Sequence, residues 1–160
     1  MSGVLIIVEN LPVPLDRRVW QEAIALTRAG YTVSIICPKA GKHRKSYEER
    51  DGIKIFRHFL PAEGKGIAGY FLEYIWALAI EFILACKVYR RVGFDAIQAC
   101  NPPDNIFIIG CFFRFFFGTA FVFDHHDPFF DLFKLKFPRR KWLCELARRA
   151  ERCSLCLSHP

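Results

Sequence analysis

Three features of the sequence predict an α/β domain with a doubly wound, mostly parallel sheet. Short unbroken apolar runs recur along the chain, as strands buried on both faces require. Longer segments with apolar residues at helical spacing separate these runs, and glycine or proline closes most of the elements. With 160 residues, 52% of them apolar, residues 1–160 are expected to form one domain around one packed core.

The first strand is residues 4–8 (VLIIV). Asp16 is placed to cap the helix that follows, in which Val19, Trp20, Ala23, Ile24 and Thr27 repeat at helical spacing and Gly30 supplies the stop. Residues 31–37 (YTVSIIC) form a second strand closed by Pro38, which completes a strand–helix–strand unit. The basic and polar stretch 39–51 is expected as an exposed loop before a third strand at 53–56. Residues 70–91 are strongly apolar, with Phe71, Tyr74, Ile75, Leu78, Phe82, Ala85 and Val88 along one face. Because Glu73 and Glu81 interrupt that run and a membrane span needs about 20 mostly apolar residues, it is expected as a long, largely buried helix. Gly93 ends it, residues 94–99 (FDAIQA) start another strand, and NPPD at 101–104 turns the chain into a helix over 105–117. The last strand, 120–123 (AFVF), runs into Asp124, His125, His126 and Asp127. Ligands of such folds bind outside the carboxyl ends of the strands, where ENLPVP, CNPPD and DHHD all fall.

Composition narrows the function classes. Seven cysteines, an odd number without framework spacing, and an N-terminus without a basic, apolar leader lead us to expect a reducing cytoplasm. Cys153 and Cys156 form a CxxC, but with only His159 nearby they are expected as free thiols, not a zinc site. The net charge of +7 is uneven, with +2 over residues 1–127 and +5 over residues 128–160. In the latter, Lys134, Lys136, Arg139, Arg140 and Lys141 alternate with phenylalanines, leucines and Trp142. That mixture fits an anionic membrane surface with an apolar interior; the other reading is a solvated basic face with its aromatics turned into the core. No motif of a nucleic-acid module is present, so no nucleic-acid partner is expected.

His125 and His126 are neighbours, and on a strand their side chains point to opposite faces, which weakens a metal site built from both. DHH phosphoesterases have a similar tripeptide, and NPPD is similar to their Asn-Pro-Asp motif. Asn105, however, stands where that chemistry wants another carboxylate, so no metal is expected.

A broader resemblance covers nearly the whole chain. VLIIVENLPVPLDRRVWQEAIALTRAGYTVSIICPK, DGIKIFRH, GFDAIQACNPPD and FVFDHHD, in that order, resemble the N-terminal domain of family 4 glycosyltransferases, especially bacterial members that build surface polysaccharides on lipid carriers. The resemblance implies one half of a GT-B fold, in which two Rossmann-like domains face a cleft. The N-terminal domain mainly holds the acceptor and the C-terminal domain holds the nucleotide sugar. Transfer retains anomeric configuration and uses no essential metal, so no cofactor is expected beyond the nucleotide sugar, which is the donor substrate.

Carried over residue by residue, the resemblance places His126 at a strand end, against the donor sugar, with Asp127 orienting that ring or binding a hydroxyl. His125 joins it in the substrate pocket, where Asn101 and Asp104 line the acceptor side unless they only form the turn and helix cap. The loop after the first strand is glycine-rich in many members, but here it has none, and Arg17 and Arg18 offer charge to a diphosphate instead. After Cys153 the sequence SLCLSHP ends where the family continues into the donor-binding domain with its paired glutamates. The expectation is therefore an acceptor-side domain, inactive alone, at the cytoplasmic face of the cell membrane. Its expected partners are a sugar acceptor, lipid-linked in such systems, an anionic membrane surface and a separate donor-binding domain. From another class, a non-catalytic membrane-associated binding domain keeps the same fold and lipid affinity.

Overall fold

The computed structural model describes residues 2–60, 66–100 and 104–124, together with residues 145, 148, 149, 152, 153, 155 and 156. Its strands are β1 (Gly3–Val8), β2 (Thr32–Pro38), β3 (Tyr47–Arg50), β4 (Ile53–His58), β5 (Ala96–Cys100) and β6 (Ala120–Asp124). Its helices are α1 (Arg17–Arg28), α2 (Gly66–Arg91) and α3 (Phe107–Phe117), the last entered through a 3-10 turn at Asp104–Ile106. The six strands lie in the order β3-β4-β2-β1-β5-β6. All neighbours run parallel except β3 and β4.

Strand β1 is central and buried along its whole length, and its alternation divides the core in two. Leu5 and Ile7 point into one layer with Ala85 and Val88 of α2 and Ile109 and Phe113 of α3. Val4, Ile6 and Val8 point into the other, against Val19 and Ala23 of α1. This is why the run VLIIV carries no polar residue. Asp16 caps α1 as expected, its carboxylate accepting the Val19 amide hydrogen bond at 3.1 Å. At the other end Gly30 has φ +92°, the left-handed conformation that lets the chain turn into β2.

Two expectations are corrected. The stretch 39–51 is not wholly a loop, because β3 pairs antiparallel with β4 at the sheet edge. Its residues Tyr47, Glu48, Glu49 and Arg50 have no apolar alternation to announce a strand; their backbone pairing and charged side chains suit an exposed edge. The face expected for α2 holds at Ala85 and Val88, which are buried, and at Leu78 and Phe82, which pack against the core, but not at Ile75, which is exposed. Ala77, Glu81, Ala85 and Val88 are the wholly buried residues, whereas Leu72, Ile75, Trp76 and Ile83 are more than half exposed. Glu81, the charge that interrupts the apolar run, faces the core. Among the described residues no helix is long and apolar enough to cross a membrane.

Candidate functional site at the carboxyl edge of the sheet

Parallel strands bring their carboxyl ends to one edge, and the polar groups of the described chain gather there in two clusters. The first joins β5, β6 and α1. Arg18 in the first turn of α1 lies with Nη2 3.8 Å from Asp124 Oδ2 at the end of β6. Gln98 on β5 donates to Glu22 of α1 at 2.9 Å and to Asp124 at 3.4 Å. The Cys100 thiol at the end of β5 lies 3.7 Å from the same Asp124 oxygen. Burial, reinforced by the Asp124 and Glu22 charges, pushes that thiol far above its usual range, so it is an inert hydrogen-bonding group and not a nucleophile.

The second cluster joins β1, β4 and α2. Glu9 directly follows β1, His58 ends β4, and Glu81 reaches in from α2; all three are buried. His58 Nε2 lies 3.5 Å from Glu81 Oε1, without hydrogen-bond geometry. Burial raises the Glu81 carboxyl to about 8, and burial followed by the Glu81 and Glu73 charges raises Glu9 to about 9. Burial lowers His58 to about 4. All three groups are therefore uncharged at neutral pH, and the His58–Glu81 contact is not an ion pair. The pattern follows from desolvation, which disfavours the charged form of acid and base alike. Asn105, just past NPPD, buries its Oδ1 without a hydrogen-bond partner among the described residues.

Arg57 holds the loop between β1 and α1 in place. Its guanidinium is fully buried, donates to the Val13 carbonyl at 2.9 Å, and pairs with Glu48 of β3 at 2.8 Å. The edge strand thus neutralises the arginine that anchors the loop carrying Glu9 and leading into Arg17 and Arg18. Arg57→Leu should leave the buried Val13 carbonyl without a donor and cost about 1–3 kcal/mol, read as a lowered urea midpoint. An unchanged midpoint would show that the loop holds its place without this bond.

Of the residues singled out from sequence, Arg17 and Arg18 are exposed at the start of α1, and only Arg18 is joined to another element, through Asp124. Asp104 opens the 3-10 turn. Asn101, His125, His126 and Asp127 lie outside the described residues, as do Lys134, Lys136, Arg139, Arg140, Lys141 and Trp142. His125 and His126 directly follow Asp124 in the sequence. Sequence reasoning missed Glu9, His58, Glu81 and Arg57. Glu81 sits inside a helix whose period follows its apolar neighbours, Arg57 and His58 extend a strand expected to end at residue 56, and Glu9 directly follows β1. The available signal was a charged residue at a core position of a strand or helix. Among the described residues no group of three or more metal-ligating side chains is arranged to hold an ion.

A mostly parallel sheet covered by helices on both faces, with its polar groups at the carboxyl edge, defines a Rossmann-like, doubly wound α/β domain. The solved structures agree on the fold. Sucrose-phosphate synthase from Thermosynechococcus elongatus superposes with a TM-score of 0.65 at 14% identity, over 94% of this chain and 40% of the synthase chain. A second solved chain of that synthase gives a TM-score of 0.56 at 15% identity, over 93% of this chain and 70% of that one. The chain thus spans less than half of the first synthase chain. No family model and no curated protein matches the sequence.

Proposed function

We propose that this domain is the acceptor-binding half of a retaining glycosyltransferase that moves a sugar from a nucleotide sugar to a lipid-linked saccharide, working together with a donor-binding domain. The observation that carries the reading is the convergence of Arg18 and Asp124 at the carboxyl edge, with the DHHD residues following from the same strand end. A guanidinium there pairs with a phosphate oxygen of a diphosphate in the cleft, and its contact with Asp124 is half solvent-exposed and so is readily exchanged for an anionic ligand. His126 contacts the donor sugar, Asp127 orients it, and His125, Arg17, Asn101 and Asp104 complete the substrate pocket. The fold shared with sucrose-phosphate synthase, an enzyme with a sugar in its name, is consistent with this class of substrate. The family 4 and surface-polysaccharide assignment rests on the sequence resemblance, and the lipid-linked acceptor rests on the basic aromatic segment 129–142.

The chemistry needs both walls of a cleft, because catalytic groups must surround the reacting centre. The test therefore supplies a donor-binding domain of this class together with this chain, and measures sugar transfer from a nucleotide sugar. His126→Ala should raise the barrier by about 2 to 4 kcal/mol, as the loss of one transition-state contact does, with an unchanged melting temperature. Equal turnover by the variant would remove His126 from the site. No transfer with any donor domain would leave the non-catalytic binding domain as the better account.

A further inference from the structure

The outward face of α2 carries a continuous stripe that neither the core nor the carboxyl-edge clusters use. Leu72, Trp76, Ala79, Ile83, Lys87 and Arg90 follow one another at spacings of three or four residues, so they lie along one line of the helix, opposite the buried Ala77, Glu81, Ala85 and Val88. Ile75 flanks the line and is 61% exposed. The stripe changes character along its length: it is apolar from Leu72 to Ile83 and basic from Lys87 to Arg91. Ile83, Lys87, Arg90 and Arg91, with Phe82 and Cys86, line an open groove there. Among the described residues of α2 no carboxylate lies on this line, since Glu81 is buried and Glu73 is half-buried to one side.

Helix α3 extends the surface. Phe112 packs edge-on against Phe82 with centroids 4.8 Å apart, and Tyr89 meets Phe117 at 4.6 Å, so the two helices lie side by side on the same face of the sheet. On α3, Ile108 and the adjacent Phe115 and Phe116 are exposed, Phe115 to 83%. The basic end of the α2 stripe therefore lies beside the exposed phenylalanines that end α3. So many large apolar side chains on the outside of one helical layer are more than the scattered apolar residues of an ordinary surface.

We propose that the outer face of α2 and α3 docks on an anionic lipid bilayer, with Leu72, Ile75, Trp76, Ile83, Phe115 and Phe116 entering the interface and Lys87, Arg90 and Arg91 contacting the headgroups. The charge pattern selects this occupant. A lipid surface presents fixed anions over an apolar interior, which matches both halves of the stripe, and the stripe has no carboxylate to be repelled. The helices lie on the membrane rather than cross it. This docking is independent of the sugar-transfer reading, because it is measured with no substrate present and stands whether or not transfer is found.

The whole chain is floated with vesicles of phosphatidylcholine, with and without phosphatidylglycerol. Binding is expected only with the anionic lipid. Lys87→Gln, Arg90→Gln and Arg91→Gln together should weaken it about 100-fold, at about fivefold per charge. Leu72→Gln, Trp76→Gln and Ile83→Gln together should abolish the binding that persists at high salt, where charge alone is screened. These six side chains are on the surface, and circular dichroism checks that both variants keep the fold. As a second measurement, brominated lipid should quench Trp76 in a chain with Trp20 and Trp142 changed to phenylalanine. The proposal is overturned by vesicle binding that both variants keep or by loss only when Lys134, Lys136, Arg139, Arg140 and Lys141 are changed. It is equally overturned by absence of Trp76 quenching, or by self-association that the apolar variant abolishes while vesicles are never bound.

Discussion

Glu81→Gln is expected to melt well above the unmodified chain at pH 9 and close to it at pH 5. The carboxyl of Glu81 is buried and its pKa is raised to about 8, from an ordinary value of 4.5. Its proton is therefore held more tightly in the folded state than in the unfolded one. The resulting stability is complete below pH 4.5 and is lost between there and about 8, as the unfolded chain ionises and the folded chain does not. Within that window the loss is at most roughly 1.4 kcal/mol per pH unit. Glutamine keeps the shape and the neutral charge and removes the titration. It also relieves Glu9, whose pKa is raised to about 9 partly by the Glu81 charge, so two sources of alkaline instability diminish with one change. His58 works in the opposite direction. Its pKa is lowered to about 4, so its contribution is complete above its ordinary 6.5 and is lost as the pH falls toward 4. The substitution should leave that acid limb in place. Melting curves of both proteins from pH 5 to pH 9 provide the check; parallel profiles would mean that Glu81 is already ionised in the folded chain.

Gly110→Ala should destabilise the domain by about 1–3 kcal/mol, even though alanine is the better helix former by about 1 kcal/mol. A Cβ on Gly110 would stand 2.2 Å from the ring of Phe121, the second residue of β6, which is 1% exposed. The ring is enclosed by the core and has no solvent to swing into, so the steric cost outweighs the gain in helix propensity. Phe121→Leu on the Gly110→Ala background should recover part of the loss, since the two positions are in contact and their effects are not additive. Because β6 carries Asp124, the single variant should also weaken the contact with Arg18. If Gly110→Ala is neutral or stabilising by urea unfolding, α3 does not approach the sheet this closely.

The order of strands and helices was legible from the chain alone, because burial on both faces leaves a signature that needs no partner to interpret. The run VLIIV has no polar residue to place outward, YTVSIIC has no charged one, and the helix between them has Asp16 and Gly30 at its ends. The edge strand β3 escaped because an edge needs only backbone pairing on one side, and YEER could satisfy that without an apolar face. Part of the inner face of α2 escaped for the opposite reason: Ala85 and Val88 are buried as expected, but Ile75 is exposed and Glu81 is buried. With apolar residues nearly all around the helix, periodicity did not decide which of them met the sheet, and Glu81 was the least expected of those that did.

The sequence by itself thus determined the fold class, the position of the polar loops at the carboxyl ends, and the first strand, helix and second strand almost residue by residue. These follow from local physics: the pleat alternates with period two, the helix turns with period 3.6, and caps act within one turn. Tertiary structure decided what meets at the edge. Arg18 and Asp124 are distant in sequence, as are Glu9, His58 and Glu81, and only the pairing order β4-β2-β1-β5-β6 brings them into two clusters. It also decided their charge. A glutamate is an ordinary acid in any sequence, and becomes a neutral one only where surrounding strands and helices exclude the water that would stabilise its anion.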